Sequence, residues 1–166
     1  MTDEKIKMLS STVRKLYRRG ARQNIQRVFI KTHAADIAAL LPAMDSEDRF
    51  EIFLLEPSLE KRAKILSYLE KDQRKEIADK LDQDVLLKLV SLMDSDDAAD
   101  FVGEMGDVES KEFLDSMETE ESEEVADLLG YDEDTAGGLM RSDFFSLDEH
   151  MTVQDAIDRI QSEEDD

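Results

Sequence analysis

The sequence predicts an all-α protein, a solenoid or superhelix of short stacked helices, followed by a truncated segment of α/β character. Two observations indicate the stack: helix-forming residues dominate with only two prolines in 166 residues, and short units with apolar triplets recur along the chain. A third observation indicates the change of character: three of the six glycines, Gly130, Gly137 and Gly138, lie within nine positions. We therefore expect helices up to residue 130 and a different fold beyond it.

Charge and composition exclude several classes of partner. Residues 1–33 carry nine Lys and Arg against two acidic residues (+7), whereas residues 34–166 carry twelve against forty (−28), for a net charge of −21. So acidic a body repels nucleic acid and anionic lipid and attracts cations. The chain has no cysteine, and no apolar run reaches the ~20 residues of a membrane span. We expect no nucleic-acid partner, no thiolate chemistry and no direct membrane insertion of these residues.

Residues 4–30 predict one or two basic amphipathic helices. Apolar residues recur there at spacings of three to four on either side of Gly20: Ile6, Leu9, Val13, Leu16, Tyr17, Val28, Phe29 and Ile30. A basic amphipathic helix can lie on a membrane, bind an acidic partner or pack on the acidic body of its own chain. We favour packing within the chain, because opposite charges attract at short range.

From residue 33 onward the sequence repeats. Residues 33–44, HAADIAALLPAM, resemble residues 94–105, DSDDAADFVGEM, at an offset of 61 positions, and an Ala-Asp pair occurs four times. The spacing predicts helices of about 8–12 residues, with Ser46 and Ser95 as N-caps before acidic first turns. Each unit has an apolar face too small to be stable alone, so the units must stack. A compact helical bundle is the competing arrangement.

The helical pattern ends near Gly130. Gly130 follows EEVADLL and suits a helix C-terminus closed by a left-handed residue. Farther on, residues 143–147, DFFSL, predict a short strand, and residues 151–161 predict a helix with Thr152 as N-cap. Strand, loop and helix in this order indicate the start of an α/β module that residues 131–166 do not complete.

The sequence gives little indication of catalysis. The two histidines, His33 and His150, lie 117 positions apart and match neither a zinc-site spacing nor a catalytic triad. No phosphate-binding loop, nucleophile elbow or dinucleotide motif occurs. No carboxylate stands out in an apolar setting that would raise its pKa. We therefore expect no enzymatic activity and no catalytic residue.

The acidic segment MDSDDAAD, residues 93–100, is the best candidate for a metal site. Asp96 and Asp100 share one face of a helix at i and i+4, with Asp97 beside them. Like charges at this spacing repel, and a divalent ion with oxygen ligands, Mg²⁺ or Ca²⁺, would relieve the repulsion. No EF-hand is present, because Ala99, Ala136 and Asp143 stand where such loops need other residues. The alternative interpretation is an exposed acidic helix start with no ligand.

Three segments together resemble the cytosolic part of MgtE-type magnesium transporters: HAADIAALLPAM, MDSDDAADFVGEM and YDEDTAGGLMRSDFFSLDEHMTVQDAIDRI. The similarity covers roughly residues 30–160, and the string Thr-Ala-Gly-Gly-Leu-Met at 135–140 is its most specific element. The resemblance implies a right-handed superhelical N domain over residues 1–130, with basic helices at 1–30. Residues 131–166 then form a linker and an incomplete first CBS domain.

The resemblance also implies a function. In this family, Mg²⁺ bridges acidic residues of the N domain to the CBS domains when cytosolic magnesium is plentiful, which holds the pore shut. When magnesium is scarce, the domains separate and the pore can open. Asp96, Asp97 and Asp100 match ligands of such a site. The implied partners are the CBS domains and transmembrane pore of the same polypeptide, in a homodimer at the cytoplasmic side of the inner membrane. Regulatory Mg²⁺ is the implied ion, bound weakly by this chain alone.

One residue departs from the family pattern. Lys64 stands where the family commonly has a glutamate of the same site, and a protonated lysine cannot be a ligand. The bridging site is therefore expected to be weaker, shifted or partly replaced by a Lys64 salt bridge. We expect a fragment of a longer transporter, with a natural pore-less regulator as the alternative. A function of another class is an α-solenoid scaffold that binds a protein partner independently of metal, similar to flagellar motor switch helical domains.

Overall fold

All regular structure in the described part of the chain is helical. The computed structural model describes residues 3–131, 135–137, 140 and 146–163. It has α1 (Asp3–Arg18), α2 (Arg22–Ile30), α3 (Ala34–Leu40), α4 (Ser46–Phe53), α5 (Leu59–Ser67), α6 (Lys71–Ala78), α7 (Gln83–Val90), α8 (Ser95–Gly103), α9 (Asp107–Leu114), α10 (Thr119–Leu128) and α11 (Val153–Glu163). A short 3₁₀ turn, Leu41–Ala43, follows α3. The predicted all-α class with short helices is confirmed.

The helices from α3 to α10 follow a period of twelve residues. Each begins after one residue with extended backbone, and these residues are His33, Asp45, Ser58, Glu70, Asp82, Asp94, Gly106 and Glu118. Successive members lie twelve positions apart, except that the unit from Asp45 to Pro57 has thirteen residues. Five units, one of them longer by one residue, separate His33 from Asp94, which explains the sequence offset of 61.

The same positions of each unit form the core. The eighth residue is apolar and buried in all eight units: Leu40, Ile52, Ile65, Ile77, Leu89, Phe101, Phe113 and Val125. The twelfth residue is Leu or Met except in the longer unit, where it is Glu56. A backbone bond from the twelfth N–H to the ninth carbonyl tightens the end of most helices, as from Leu69 to Leu66 at 3.2 Å. A repeat of packing positions therefore underlies the fold.

Helices two apart along the chain lie side by side. α1 packs on α3, α3 on α5, α5 on α7, and α8 on α10, while α5 also contacts α8. This alternation lays successive units beside one another, which is typical of a superhelical stack and not of a compact bundle. Each unit buries its apolar face on the next, so the core runs through the stack as one cluster.

The basic N-terminal helices pack on the stack, as predicted. Val13 of α1 and Phe29 of α2 are fully buried. Arg22 pairs with Glu51 at 3.2 Å, and the guanidinium of Arg14 donates to the carbonyl of Ala43. The turn between α1 and α2 needs glycine, because Gly20 has a φ of +68° in the left-handed region.

The predictions for the start of α4 and α8 and for the end of α10 are wrong. Ser46 and Ser95 are not N-caps: Asp45 and Asp94 take the extended cap position, and the serines begin α4 and α8. The left-handed conformation predicted for Gly130 is also wrong, since Gly20 is the residue with positive φ in the described part of the chain.

The cap of α11 is confirmed. The Asp155 N–H donates to the Thr152 hydroxyl at 3.2 Å, and the Thr152 N–H donates to the Asp155 carboxylate at 3.1 Å. The strand predicted at residues 143–147 lies largely outside the described residues, and Ser146 and Leu147 have no regular structure. Among the helices that are described, none combines the length and apolar character that crossing a membrane requires.

Candidate metal site

The acidic cluster lies at the start of α8, as the sequence predicts. Asp94 is extended before the helix, and Asp96 and Asp97 occupy its first turn. Carboxylates are favoured at this end because the helix dipole places partial positive charge on the free N–H groups. α8 is fixed below them by buried Phe101 and Val102. The cluster therefore sits on a rigid element.

The two first-turn carboxylates are partly buried. Burial raises the pKa of Asp97 most, a hydrogen bond with Ser67 lowers it, nearby Asp96 and Asp94 raise it, and Arg74 lowers it; the net shift is upward. The ionised form of Asp97 is thus held where it is less stable than in water. Asp100, one turn farther along, is exposed.

Residues of two neighbouring helices complete the surroundings. Ser67 ends α5, and Arg74 lies on α6 with its guanidinium 3.7 Å from Glu104. Arg74 also donates to the carbonyl of Leu69 at 3.0 Å. Its charge is therefore shared with Glu104 and offsets only part of the negative charge near Asp97.

The structure brings Asp96 and Asp97 together and leaves Asp100 at the outer surface. Within residues 3–131, 135–137, 140 and 146–163, no three acidic or histidine side chains converge closely enough to hold a metal ion. The donor chemistry nevertheless fits a hard cation, because carboxylate oxygens are what Mg²⁺ and Ca²⁺ prefer. A complete coordination shell would need water or oxygens from another module.

Sequence reasoning missed two residues of this site. Ser67 and Arg74 act on the pKa of Asp97, as does Asp94, which belongs to the predicted acidic segment. Ser67 and Arg74 reach the cluster through helix stacking, so no local motif marks them. The twelve-residue register could have found them, because it shows which helices neighbour α8.

The predicted salt bridge of Lys64 has no counterpart inside the described residues. Lys64 is exposed on α5, and none of the ion pairs found there involves it. Its place near the end of α5 puts it one turn before Ser67. Any partner of Lys64 must therefore come from outside this part of the chain.

Comparison with known proteins assigns the helical repeat to a family. The family described as the MgtE intracellular N domain matches residues 32–134, more than half of the chain. The chain belongs to this family. The matched range contains α3 to α10, and with them the acidic start of α8. A search of curated proteins found no match.

Solved structures share the fold of this MgtE N domain. One is the cytosolic domain of the Mg²⁺ channel MgtE in complex with ATP, with a TM-score of 0.80, 24% identity, and coverage of 92% of this chain and 62% of the other. Another is the soluble part of a magnesium transporter, with a TM-score of 0.81, 19% identity, and coverage of 96% and 63%. The chain thus spans about three fifths of the length of either.

Proposed function

We propose that this chain is the cytosolic regulatory domain of a magnesium transporter or channel, which senses intracellular Mg²⁺ and controls the pore. The observation that carries the proposal is the match of residues 32–134 to the MgtE intracellular N domain. It is supported by the structural likeness to parts of a Mg²⁺ channel and a magnesium transporter. The proposed role is regulatory, with no catalysis of its own.

The proposed ligands are Asp96, Asp97 and Asp100. Asp97 is ionised at neutral pH only at a cost, because burial and the neighbouring carboxylates raise its pKa. A divalent cation placed between this cluster and another acidic surface would remove that cost for both surfaces. Mg²⁺ retains several waters and takes one or two carboxylates from each side, so it suits such a bridge.

The proposed second surface belongs to CBS domains of the same polypeptide. We propose that residues 131–166 form a linker and the beginning of the first CBS domain. In support, α11 exposes three apolar residues along one side, Val153 at 79%, Ile157 at 43% and Ile160 at 44%. This apolar side is available for packing against another module. The complete protein is then a homodimer with its pore in the inner membrane and this domain on the cytoplasmic side.

Mg²⁺ can act as a switch only if it binds the docked arrangement more tightly than the free one. The charge of −28 over residues 34–166 favours separation without cations. With cations, the bridged carboxylates favour docking. Low magnesium would then release the domain and allow the pore to open.

Calorimetric titration tests the ligand assignment. The polypeptide extended through its CBS domains should bind Mg²⁺, and the Asp96→Asn, Asp97→Asn, Asp100→Asn triple variant should weaken this binding at least about tenfold. Asp72 and Asp84 are the matched control, because they occupy on α6 and α7 the repeat position that Asp96 occupies on α8. Asp72→Asn with Asp84→Asn should leave the titration unchanged.

Two results would contradict the proposal. Equal Mg²⁺ affinity of the wild type and the triple variant would place the ions elsewhere. A protein partner that binds the wild type and the triple variant equally, with or without Mg²⁺, would favour the metal-independent scaffold.

A further inference from the structure

A basic groove lies where α2, α3 and α5 meet. Its volume is about 660 Å³. The lining residues on which the inference depends are Ile30, Lys31, Lys61, Lys64 and Tyr68. Glu60 is the one carboxylate among the lining residues, and its side chain accepts a hydrogen bond from the Ser58 hydroxyl at 2.6 Å. Because the buried Glu56 offsets the charge of Lys61, the positive charge of the groove comes from Lys31 and Lys64, which exceed Glu60 by one.

This charge is unusual for the body of the chain. Several cations of the stack are paired: Arg49 and Lys80 with Glu76, and Arg74 with Glu104. The exposed Lys71 and Lys75 form no ion pair with a described residue, but the groove that they line also contains Asp79, Glu104, Glu109 and Glu112. Lys31 and Lys64 are likewise exposed and form no ion pair with any described residue, and the basic groove has Glu60 as its one carboxylate. Two unneutralised lysines at the mouth of one groove, in a chain of net charge −21, favour an anionic occupant.

The third lysine is held in place by a buried carboxylate. Glu56 is 1% exposed and lies 3.6 Å from the Lys61 ammonium, which also donates to the Phe29 carbonyl at 2.5 Å. Glu56 takes the repeat position that other units fill with Leu or Met, so it is not needed for packing there. An ammonium has three donors, and these two contacts leave one for the groove. The Lys61 ammonium is therefore held in place as an N–H donor for a ligand, with its charge offset by Glu56.

The remaining walls suit a planar group. The Tyr68 side chain is 59% exposed and Ile30 is 64% exposed, although both are large and partly apolar. Both line the basic groove together with the lysines. An aromatic ring presented beside cations can stack on a base while the cations bind phosphate.

We propose that the basic groove binds a nucleotide, with its phosphates on Lys31, Lys61 and Lys64 and its base against Tyr68. Lysine ammonium groups bind phosphate as point charges, and the exposed Lys31 and Lys64 can move to meet it. The groove uses none of the carboxylates proposed for Mg²⁺. Nucleotide binding is thus a second function of the domain, with ligating side chains that differ from the carboxylates proposed for Mg²⁺.

Calorimetry with ADP in EDTA tests this inference on the full chain, because EDTA removes any contribution from metal. Lys31→Gln with Lys64→Gln should raise the Kd for ADP at least about tenfold, since each charge-assisted contact contributes more than a neutral hydrogen bond. Lys71→Gln with Lys75→Gln is the matched control, because these exposed lysines line a different groove. The control should change the Kd less than about twofold.

The base and phosphate contributions are separated by two further probes. Tyr68→Leu should weaken ADP by about tenfold and leave pyrophosphate binding unchanged, because only the base stacks. Adenosine, which lacks phosphate, should not bind measurably.

Three outcomes would overturn the inference. The first is failure of the wild type to bind ADP at millimolar concentration, and the second is a loss of ADP affinity in the Lys71→Gln, Lys75→Gln control as large as that in the Lys31→Gln, Lys64→Gln variant. The third outcome is equal affinity of the wild type for ADP and pyrophosphate. Self-association of the chain that depends on Lys31 and Lys64 and is insensitive to ADP would assign the groove to an acidic protein surface instead. None of these results bears on the magnesium titration, so the two proposals fail separately.

Discussion

α5 and α8 have the same interior and opposite surfaces. Counted from the extended residue before each helix, Ile65 and Phe101 share the eighth position and both are buried. At the fourth position α5 has Lys61 and α8 has Asp97. At the seventh, α5 has Lys64 and α8 has Asp100.

The comparison shows that the repeat determines where a side chain lies and leaves its charge free. The eighth position is apolar and buried in every unit, because each unit must bury its face on the next. The positions on the surface carry lysine in one unit and aspartate in another. Cation binding and anion binding can therefore be built on one fold a few helices apart.

The largest effects should come from the shared interior. Ile65→Ala and Phe101→Ala each remove a buried side chain and leave a cavity, so each should lower the free energy of unfolding by about 2–5 kcal/mol. Urea denaturation followed by circular dichroism measures this. A loss below about 1 kcal/mol in either helix would show that the two eighth positions are not equivalent.

A smaller effect should come from the buried carboxylate behind Lys61. Glu56→Gln keeps an acceptor for the Ser58 N–H, at 3.1 Å, but removes the charge opposite Lys61. We expect a loss of about 1–2 kcal/mol in the same denaturation experiment. The exposed Glu60→Gln is the control, with less than about 0.5 kcal/mol expected. Unchanged or higher stability of Glu56→Gln would mean that the pair does not stabilise the fold.

Carboxylates on α6 and α8 should differ in the sign of their pH dependence. The pKa of Asp97 in the folded chain is raised, chiefly by burial. The free-energy cost of ionising Asp97 in the folded chain is therefore absent below the ordinary pKa of an aspartate, and it grows as the pH rises through the folded-state pKa. Asp97→Asn should therefore stabilise the chain at pH 7 by less than about 1 kcal/mol, and the gain should vanish near pH 3.

Glu76 provides the opposite case. Hydrogen bonds from Ser46 and Lys80 and the charge of Arg49 lower the pKa of Glu76. The ionised Glu76 therefore stabilises the fold at pH 7, and this stabilisation is lost as the pH falls through the folded-state pKa of Glu76. Glu76→Gln should destabilise at pH 7 and have no effect at the lowest pH. Urea denaturation in EDTA at several pH values measures both variants, and slopes of the same sign would refute the contrast.

The smallest effect on stability should come from Asp84, which occupies the same repeat position as Asp96 but lies on α7. Asp84 is exposed in the first turn of α7. Asp84→Asn should change the free energy of unfolding by less than about 0.5 kcal/mol. A change above 1 kcal/mol would show that acidic first turns stabilise every unit. The acidic start of α8 would then be an ordinary feature of the repeat.

Local pattern was enough to predict the all-α class, the short helices and the packing of the basic N-terminal helices. It also located Asp96 and Asp97 at the start of a helix. The twelve-residue period was missed because its surface positions vary as Lys61 and Asp97 do, and only the offset of 61 between two similar units was visible. The recurring Ala-Asp pairs did not mark the true repeat, because Asp36 and Asp79 occupy different positions of the twelve-residue unit.

The surroundings of the site were beyond local pattern. Ser67 and Arg74 act on Asp97 across helix contacts, and their own neighbourhoods contain no signal for it. The N-caps were predicted one residue too late because Asp and Ser are equally favourable at this position and the sequence does not distinguish them. Asp45 and Asp94 take the extended position before the helix, without a side-chain cap hydrogen bond. The charge of a side chain can be read directly from the sequence. Which side chains lie near it in space depends on how the units stack.

Small-angle X-ray scattering of the CBS-extended polypeptide tests the central claim most directly, because the claim concerns domain arrangement. The wild type should have a smaller radius of gyration in millimolar Mg²⁺ than in EDTA. The Asp96→Asn, Asp97→Asn, Asp100→Asn variant should lose this Mg²⁺-dependent contraction. A wild type with the same dimensions in both conditions, or a variant that contracts as fully as the wild type, would contradict the assignment of magnesium sensing to the start of α8.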